Sequence, residues 1–478
     1  MNPIRQISPT ILSLALLTLS GCAVLSPTNP YRPVAPQLRF EAPDSHSDAQ
    51  ISATPRDFGN LRLSEAIALS SNPEVAATGY DAAAAQARKE GAWGAMLPSL
   101  SAQGAYTRYL DDQRLVPARY NGEVGTFSDT IYSGDLVVKM PLFAGGRLIN
   151  EARAAKRLSQ AAEHRLARTR EELVFNVTSV FYGILAQERL IESLSFSREA
   201  LDSHLKRVND LIAAQKAAKV DRLRTEVRLA DVRQKIVTEQ NSLTIQKQLL
   251  TNLMGVETTS RTLELQGELD ESTTNSLSLE EGVAAAFANR PDYLAVRKEP
   301  EAQAKRVDVA RAGHAPTVNL FGPYGGRWAA DPTAQLDSEG NVMSGDDSED
   351  IGSVGIGMEI SLFQGGRIAA RVKKERAKLA AAQERFHKLE LQMRLEVETA
   401  FLNLDSASER VQTLRKSVEQ AEESLRIERQ KYDLGKGAIV DVLDTQAALL
   451  DAQTNYYRAL ADVQVARAQI ELATGASK

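Results

Sequence analysis

Leu142-Phe143-Ala144-Gly145-Gly146-Arg147 recurs as Leu362-Phe363-Gln364-Gly365-Gly366-Arg367, each position 220 residues further on. The same offset holds downstream, where Phe181 matches Phe401, Val220-Asp221 matches Val440-Asp441, Thr225 matches Thr445 and Gly255 matches Gly475. Upstream the shift is slightly smaller: Leu61-Arg62-Leu63-Ser64-Glu65 parallels Leu277-Ser278-Leu279-Glu280-Glu281, and Pro73 and Pro98 recur as Pro291 and Pro316. The chain is therefore two copies of one unit, expected at about 58–270 and 271–478. So long a period marks a duplicated domain, because solenoid repeats are about 20–50 residues long.

Each copy opens with helical pattern. Asn72-Pro73 reads as an N-cap followed by proline at the first helical position, and the alanine-rich run after it propagates well. Each copy then switches to a period of two. Leu100, Ala102, Gly104 and Tyr106 alternate with Ser101, Gln103 and Ala105, and Val354, Ile356, Met358, Ile360 and Leu362 alternate with small or polar residues. Strands are expected at about 97–110, 130–143, 315–330 and 351–363, with polar loops 111–128 and 331–350 between the members of each pair. The second loop holds Asp331, Asp337, Glu339, Asp346, Asp347, Glu349 and Asp350 without a Lys or Arg, so it must face water. Gly145-Gly146 and Gly365-Gly366 mark the transition from strand to helix, where residues without Cβ let the chain reorient. Neither pair has the Gly-x-x-x-x-Gly-Lys-Ser/Thr spacing of a phosphate loop.

The helices that follow are long, expected at about 146–212 with 219–254 and 366–432 with 438–473. A run of about 65 residues at 1.5 Å each is a rod on the order of 100 Å. Ala400, Leu404, Ala407, Val411, Leu414, Val418, Ala421 and Leu425 step by fours and threes, which is a heptad seam. Val180, Ile184, Gln187, Ile191, Leu194, Arg198, Leu201 and Leu205 keep the register in the first copy with polar interruptions.

Composition narrows the function. The 478 residues carry a formal charge of −5, which disfavours a nucleic-acid partner, and one cysteine forbids an internal disulfide or a cysteine-rich metal site. Residues 1–22 read as a secretory signal: Arg5, an apolar stretch from Ile11 to Leu19, then Leu19-Ser20-Gly21-Cys22. That ending resembles a bacterial lipobox, which makes Cys22 the acylated first residue of a lipoprotein. Ala23 stands where inner-membrane retention would require Asp, so sorting to the outer membrane is expected. Residues 23–57, with six prolines, read as an extended tether.

Two copies supply only four strands, and four strands cannot close a membrane barrel without leaving backbone groups unpaired in lipid. Closure demands copies of the chain. Two would give eight strands, a size at which side chains fill the interior. Three would give twelve and leave room for a channel, which the serine- and glycine-rich face favours.

These residues together resemble the TolC family of outer-membrane efflux and secretion channels over about 57–475. The resemblance rests on the duplicated Leu-Phe-x-Gly-Gly-Arg, on Ser71-Asn72-Pro73-Glu74 with Arg290-Pro291-Asp292, and on Tyr432-Asp433-Leu434-Gly435-Lys436 leading to Ile439-Val440-Asp441-Val442-Leu443-Asp444. It implies an α+β membrane protein, a duplicated β-hairpin plus long helical hairpin. Three chains would form a 12-stranded barrel continuous with a periplasmic α-barrel, a passive duct meeting an inner-membrane pump through a periplasmic adaptor. It also implies that Asp441 and Asp444 form acidic rings at a periplasmic aperture and that Tyr432 and Asp221 help close it. Residues at i and i+3 share a helix face, so such rings are physically reasonable, although carboxylates in a first turn also simply complement the helix dipole. Gly437 replaces an arginine that some relatives use in the lock. At the adaptor-docking tips the second copy keeps Leu434-Gly435, while Gln215-Lys216 occupies the place of Gly-Leu in the first.

An enzyme is not expected. His46, His164, His204, His314 and His387 are scattered and no His-Glu-x-x-His pair occurs, so neither a metal site, a cofactor site nor an activated nucleophile is indicated. A structural coiled-coil lipoprotein without a pore is the other alternative, but a spacer has no use for a β segment with one wet face.

Overall fold

The computed structural model describes residues 60–121, 123, 125–256, 265–270, 277–330, 332, 335–336, 342–343 and 347–476. Cys22, the tether and Asp331, Asp337, Glu339 and Asp346 lie outside the described residues.

The first copy begins with α1 (Leu61–Ser71) and α2 (Pro73–Gly94). Asn72 separates them because its Oδ1 accepts from the N–H groups of Glu74 and Val75 at 2.8 and 3.3 Å, while its amide donates to the Leu253 carbonyl at 2.8 Å. Strands β1 (Ser99–Arg114) and β2 (Phe127–Ala144) follow, then α3 (Arg147–Ala213) and α4 (Lys219–Leu253). The second copy repeats this order: α5 (Leu279–Asn289), α6 (Pro291–Arg311), a 3₁₀ turn Ala312–His314 and β3 (Thr317–Ala329). After β3 come the short pair β4 (Gln335–Leu336) and β5 (Val342–Met343), then β6 (Ser348–Gly352) and β7 (Gly355–Glu359), and finally α7 (Arg367–Asp433) and α8 (Ile439–Thr474).

Strand β2 pairs antiparallel with β1 on one side and β3 on the other, and β3 pairs with β6 and β7. The pleat sorts residues by polarity. Leu100, Tyr106, Tyr132, Leu136, Val138, Tyr324, Trp328, Ile356 and Met358 share one face and are all exposed. The other face carries Gln103, Ser133, Asp135, Lys139, Asn319 and Arg327, with Arg327 Nη1 donating to Asp135 Oδ1 at 2.8 Å. An exposed apolar face with so many aromatic residues is what lipid contact requires, and it leaves the polar face for a wet interior.

Three strand boundaries correct the sequence reading. β1 runs to Arg114 and not to 110, because after a register shift Gln113 and Arg114 pair again with Ser128 and Phe127. A two-residue pair, β4 with β5, stands inside the segment read as loop. The fourth strand, read as 351–363, is instead β6 and β7 and stops at Glu359. Both halves keep one register against β3, with Tyr324 opposite Gly352 and Phe321 opposite Gly355. Between them Ser353 N–H donates to the Pro323 carbonyl at 3.1 Å, but Pro323 has no N–H to return the bond, so the ladder lapses. Beyond Glu359 the register arrives at Pro316, which ends the pairing. Leu362 and Phe363 are left 90% and 87% exposed.

At the strand-to-helix corners, Gly145 and Gly146 take φ +60° and +80°, and Gly365 and Gly366 take +59° and +77°. A Cβ on Gly145 would sit 2.4 Å from that of Ala315, so sterics as well as backbone freedom fix glycine there.

The 67-residue α3 and α7 are each about 100 Å long. Along the heptad seam, Ala400, Leu404, Ala407 and Val411 of α7 are buried against Ala459, Val463 and Ala466 of α8. A matching cluster in the first copy holds Val177, Phe181 and Ile184 of α3 against Leu250 of α4. A third cluster, with Leu201, Val232, Leu425 and Val442, draws on all four long helices and locks the two hairpins together. None of the described helices is long and apolar enough to cross a membrane.

Candidate functional site

The two hairpin tips turn by the same bonds. The N–H of Lys216 donates to the Leu211 carbonyl at 2.8 Å, and that of Lys436 to the Lys431 carbonyl at 2.9 Å. These are the long bonds of a Schellman turn, which needs one residue in the left-handed region. In the second copy it is Gly435 at φ +70°, and in the first it is Gln215 at φ +59°. Gln215 is the one non-glycine residue with positive φ among the described residues, at a cost of about 1 kcal/mol.

Past the turn, Asp221 and Asp441 hold equivalent places in the first turns of α4 and α8. The Asp221 carboxylate reaches back and accepts from the Ala218 N–H at 3.3 Å, satisfying one of the helix's orphan donors. Asp441 is exposed, and its carbonyl accepts from Thr445 Oγ1 at 2.8 Å as that of Asp221 does from Thr225. Asp444, also exposed, borders a groove of about 470 Å³ between α4 and α8 together with Arg224 and Arg228. Arg224 is the repeat partner of Asp444. The duplicated tips therefore agree in charge at the first of these positions and oppose each other at the second.

Tyr432 stands where α7 faces α3. Its ring centroid is 5.3 Å from that of His204, and its Oη is buried without a hydrogen-bond partner among the described residues. Burial raises the Tyr432 hydroxyl above its ordinary pKa, and the negative charges of Asp221 and then Asp433 raise it further. Within one chain Tyr432 thus feels the charge of Asp221 without a hydrogen bond between them, Asp221 being engaged by Ala218. His204 is held below its usual pKa by burial and by Arg429, and its Nε2 is also buried and unpartnered.

The structure adds contacts that periodicity did not reveal. Arg207 of α3 lies 3.3 Å from Asp433 of α7, joining the two hairpins beside Tyr432. Farther from the tip, buried Gln446 of α8 donates to Ser197 of α3, to Oγ at 3.1 Å and to the carbonyl at 3.3 Å. Neither pair has a counterpart at the repeat offset, because these bonds join one hairpin to the other and belong to neither unit. No cluster of three metal-ligating side chains occurs among the described residues.

A family profile described as "Outer membrane efflux protein" matches residues 66–256 and 283–476. The Outer membrane protein TolC of Vibrio cholerae is 22% identical over 321 residues, covering 67% of this chain and 72% of that protein. The Pyoverdine export outer membrane protein OpmQ of Pseudomonas putida is 24% identical over 468 residues, covering 94% of each. Among solved structures, the outer membrane protein VceC from Vibrio cholerae superposes with a TM-score of 0.72 at 19% identity, covering 87% of this chain and 96% of that one. The last likeness concerns the fold.

Proposed function

The chain belongs to the outer membrane efflux protein family, and from that premise we propose that it is the passive outer-membrane duct of a tripartite efflux or secretion system. One observation carries the reading: a sheet four strands wide, its last place shared by β6 and β7, with an apolar exposed face and a polar face, runs directly into helices about 100 Å long. Such a sheet has two edges to pair, β1 on one side and β6 with β7 on the other. Three copies would close a twelve-stranded barrel, and the hairpins would continue it into the periplasm.

In this reading Cys22 carries the lipid that tethers each chain to the outer membrane. Asp441 and Asp444 line the periplasmic aperture, Tyr432 and Asp221 hold it shut, and Gln215, Lys216, Leu434 and Gly435 form the tips that meet the adaptor. An inner-membrane pump supplies the energy and selects the cargo, and the chain itself turns over no substrate. The exposed Leu362 and Phe363 support the assembly, since in a barrel they would meet lipid or the β1 edge of a neighbour and not water.

The test is transport. Deleting the gene should sensitise cells to the pump's substrates or block export of a secreted protein, while the purified chain in planar bilayers should show only passive conductance. Tyr432→Phe combined with Asp221→Ala should raise that conductance, each hydrogen bond that these side chains make to a neighbouring chain's hairpin in the closed assembly being worth about 0.5–1.5 kcal/mol. Energy-coupled transport by the isolated chain would refute the reading.

A further inference from the structure

A cavity of about 1110 Å³ lies where the sheet meets the helices, between α2, α3 and α6. Its strand residues are Ser99, Lys139, Pro141, Asn319 and Phe321, all on the polar face of the sheet, the face that carries Gln103, Asp135 and Arg327. The cavity therefore opens toward the interior and away from lipid. Four cations line it, Arg88, Lys139, Arg147 and Arg306, against a single carboxylate, Glu151. That carboxylate lies 3.6 Å from Arg147, while Arg88, Lys139 and Arg306 form no ion pair among the described residues. Leu97, Leu148 and Phe321 give the same cavity an apolar wall.

The duplication makes this more than a local patch. Arg88 stands ten residues before Pro98, and Arg306 stands ten residues before Pro316, so the two arginines are repeat partners at one level of the duct. A neighbouring cavity of about 440 Å³ shares Arg306 and adds Lys378 and Arg385, with Glu299 as its one acid. That acid is already paired to Arg165.

We propose that this neck binds anionic amphiphiles, molecules with a carboxylate, sulfonate or phosphate group on an apolar body, as they leave the helical part of the duct for the barrel. The proposal rests on the channel reading, since only the assembly of three chains turns Arg88 and Arg306 into a collar of six arginines around one lumen. The guanidinium fork suits planar and tetrahedral oxyanions. A cavity combining such forks with leucine and phenylalanine selects for a charged head with an apolar body. Rings of one sign in a pore select ions of the other. The collar thus opposes in sign the acidic aperture proposed at the tip, and an anionic cargo would be held at the neck.

The experiment uses the full mature protein in nanodiscs of zwitterionic lipid, which supplies no anionic headgroup of its own. Native mass and binding of 1-naphthalenesulfonate are measured on the same sample, with 1-naphthylmethylammonium as the probe of opposite charge. Wild type should bind the sulfonate saturably, should bind it much more tightly than the ammonium, and should lose affinity for it as salt rises. Arg88→Gln with Arg306→Gln should weaken sulfonate binding about tenfold or more, while Arg88→Lys with Arg306→Lys, which preserves charge, should weaken it less. A trimer that binds neither probe, binds both equally, or binds the sulfonate unchanged in the Gln variant overturns the collar and leaves the channel reading standing. A sample that is monomeric by native mass overturns the channel reading and the collar with it.

Discussion

Asn72 and Arg290 occupy the same place in the two copies and solve the same problem by different chemistry. Each precedes a proline that starts a helix, and each bonds the end of its own copy's last helix. The Asn72 amide donates to Leu253 at 2.8 Å, and Arg290 Nη1 donates to Ala473 at 3.4 Å, carbonyls that are themselves repeat partners. Gly255 and Gly475 complete both knots at φ +66° and +68°, where a Cβ would fall 2.3 Å from the Ser71 carbonyl and 2.8 Å from the Arg290 nitrogen. The first copy closes with a neutral amide that also caps α2. The second buries a guanidinium at 1% exposure, forked onto Asp292 at 2.6 and 3.0 Å and set 2.7 Å from Glu396. Although burial opposes it, the hydrogen bonds from Arg290 hold the Asp292 carboxyl below its usual pKa. Duplication has thus conserved backbone geometry while the side chains that stabilise it diverged in charge.

Breaking the two knots should separate them most. Arg290→Ala leaves two carboxylates without their partner and should cost about 3–5 kcal/mol. Asn72→Ala removes a cap and one further bond and should cost about 1–2 kcal/mol. Thermal or denaturant unfolding of the two variants under one condition reads the difference, and equal losses would mean that the charged knot is no more than a cap.

The tips come next. Asp441→Asn with Asp444→Asn should lower cation preference in bilayers at low salt. The effect should shrink near 1 M salt, where the Debye length is about 3 Å. Unchanged selectivity at low salt would return both residues to the role of helix-dipole partners. Because Arg224 stands where the second copy has Asp444, Arg224→Asp should move selectivity the other way by making the two tips alike.

A smaller change concerns the turn itself. Gln215→Gly should stabilise the first tip by up to about 1 kcal/mol by removing the left-handed strain that Gly435 avoids. Gly435→Ala should do the reverse by a similar amount. A shift of the same sign in both variants, followed by amide exchange at the tips, would show that something other than φ decides the turn.

A further expected effect is a pH slope. Burial pushes the Glu171 carboxyl up to about 7 despite Arg168 nearby, while the second copy has Leu391 at the equivalent position. Between the ordinary carboxylate pKa of 4.5 and about 7, the folded state keeps a proton that the unfolded chain has released, so stability falls as pH rises through that window. Glu171→Gln should flatten this part of the melting-temperature profile. Parallel profiles for variant and wild type across that window would contradict the assignment.

The duplication explains how much of this was legible beforehand. An offset that recurs without a gap carries its geometry with it, so Gly145-Gly146 and Gly365-Gly366 announce one corner twice, and alternation at Leu100 to Tyr106 announces a two-faced sheet. The heptad seam likewise reports α7 against α8, because burial repeats at helical spacing. What escaped has no period. The lapse at Pro323 depends on which strand lies opposite. The Arg207 to Asp433 and Gln446 to Ser197 contacts depend on how one hairpin lies against the other, and Tyr432 and Asp221 come close without bonding because Asp221 caps its own helix. The neck cations were each visible as isolated arginines and lysines, and only the sheet's facing gathers Arg88, Lys139, Arg147 and Arg306 around one cavity.

The central claim is that a chain with two edge strands and one apolar sheet face completes itself with copies of itself. Native mass measurement of the purified mature protein, released from the outer membrane in mild detergent, tests this most directly. The account predicts three chains per particle, with twelve strands closing one barrel. A stable monomer, or a dimer whose eight strands would leave no room for a duct, would contradict it.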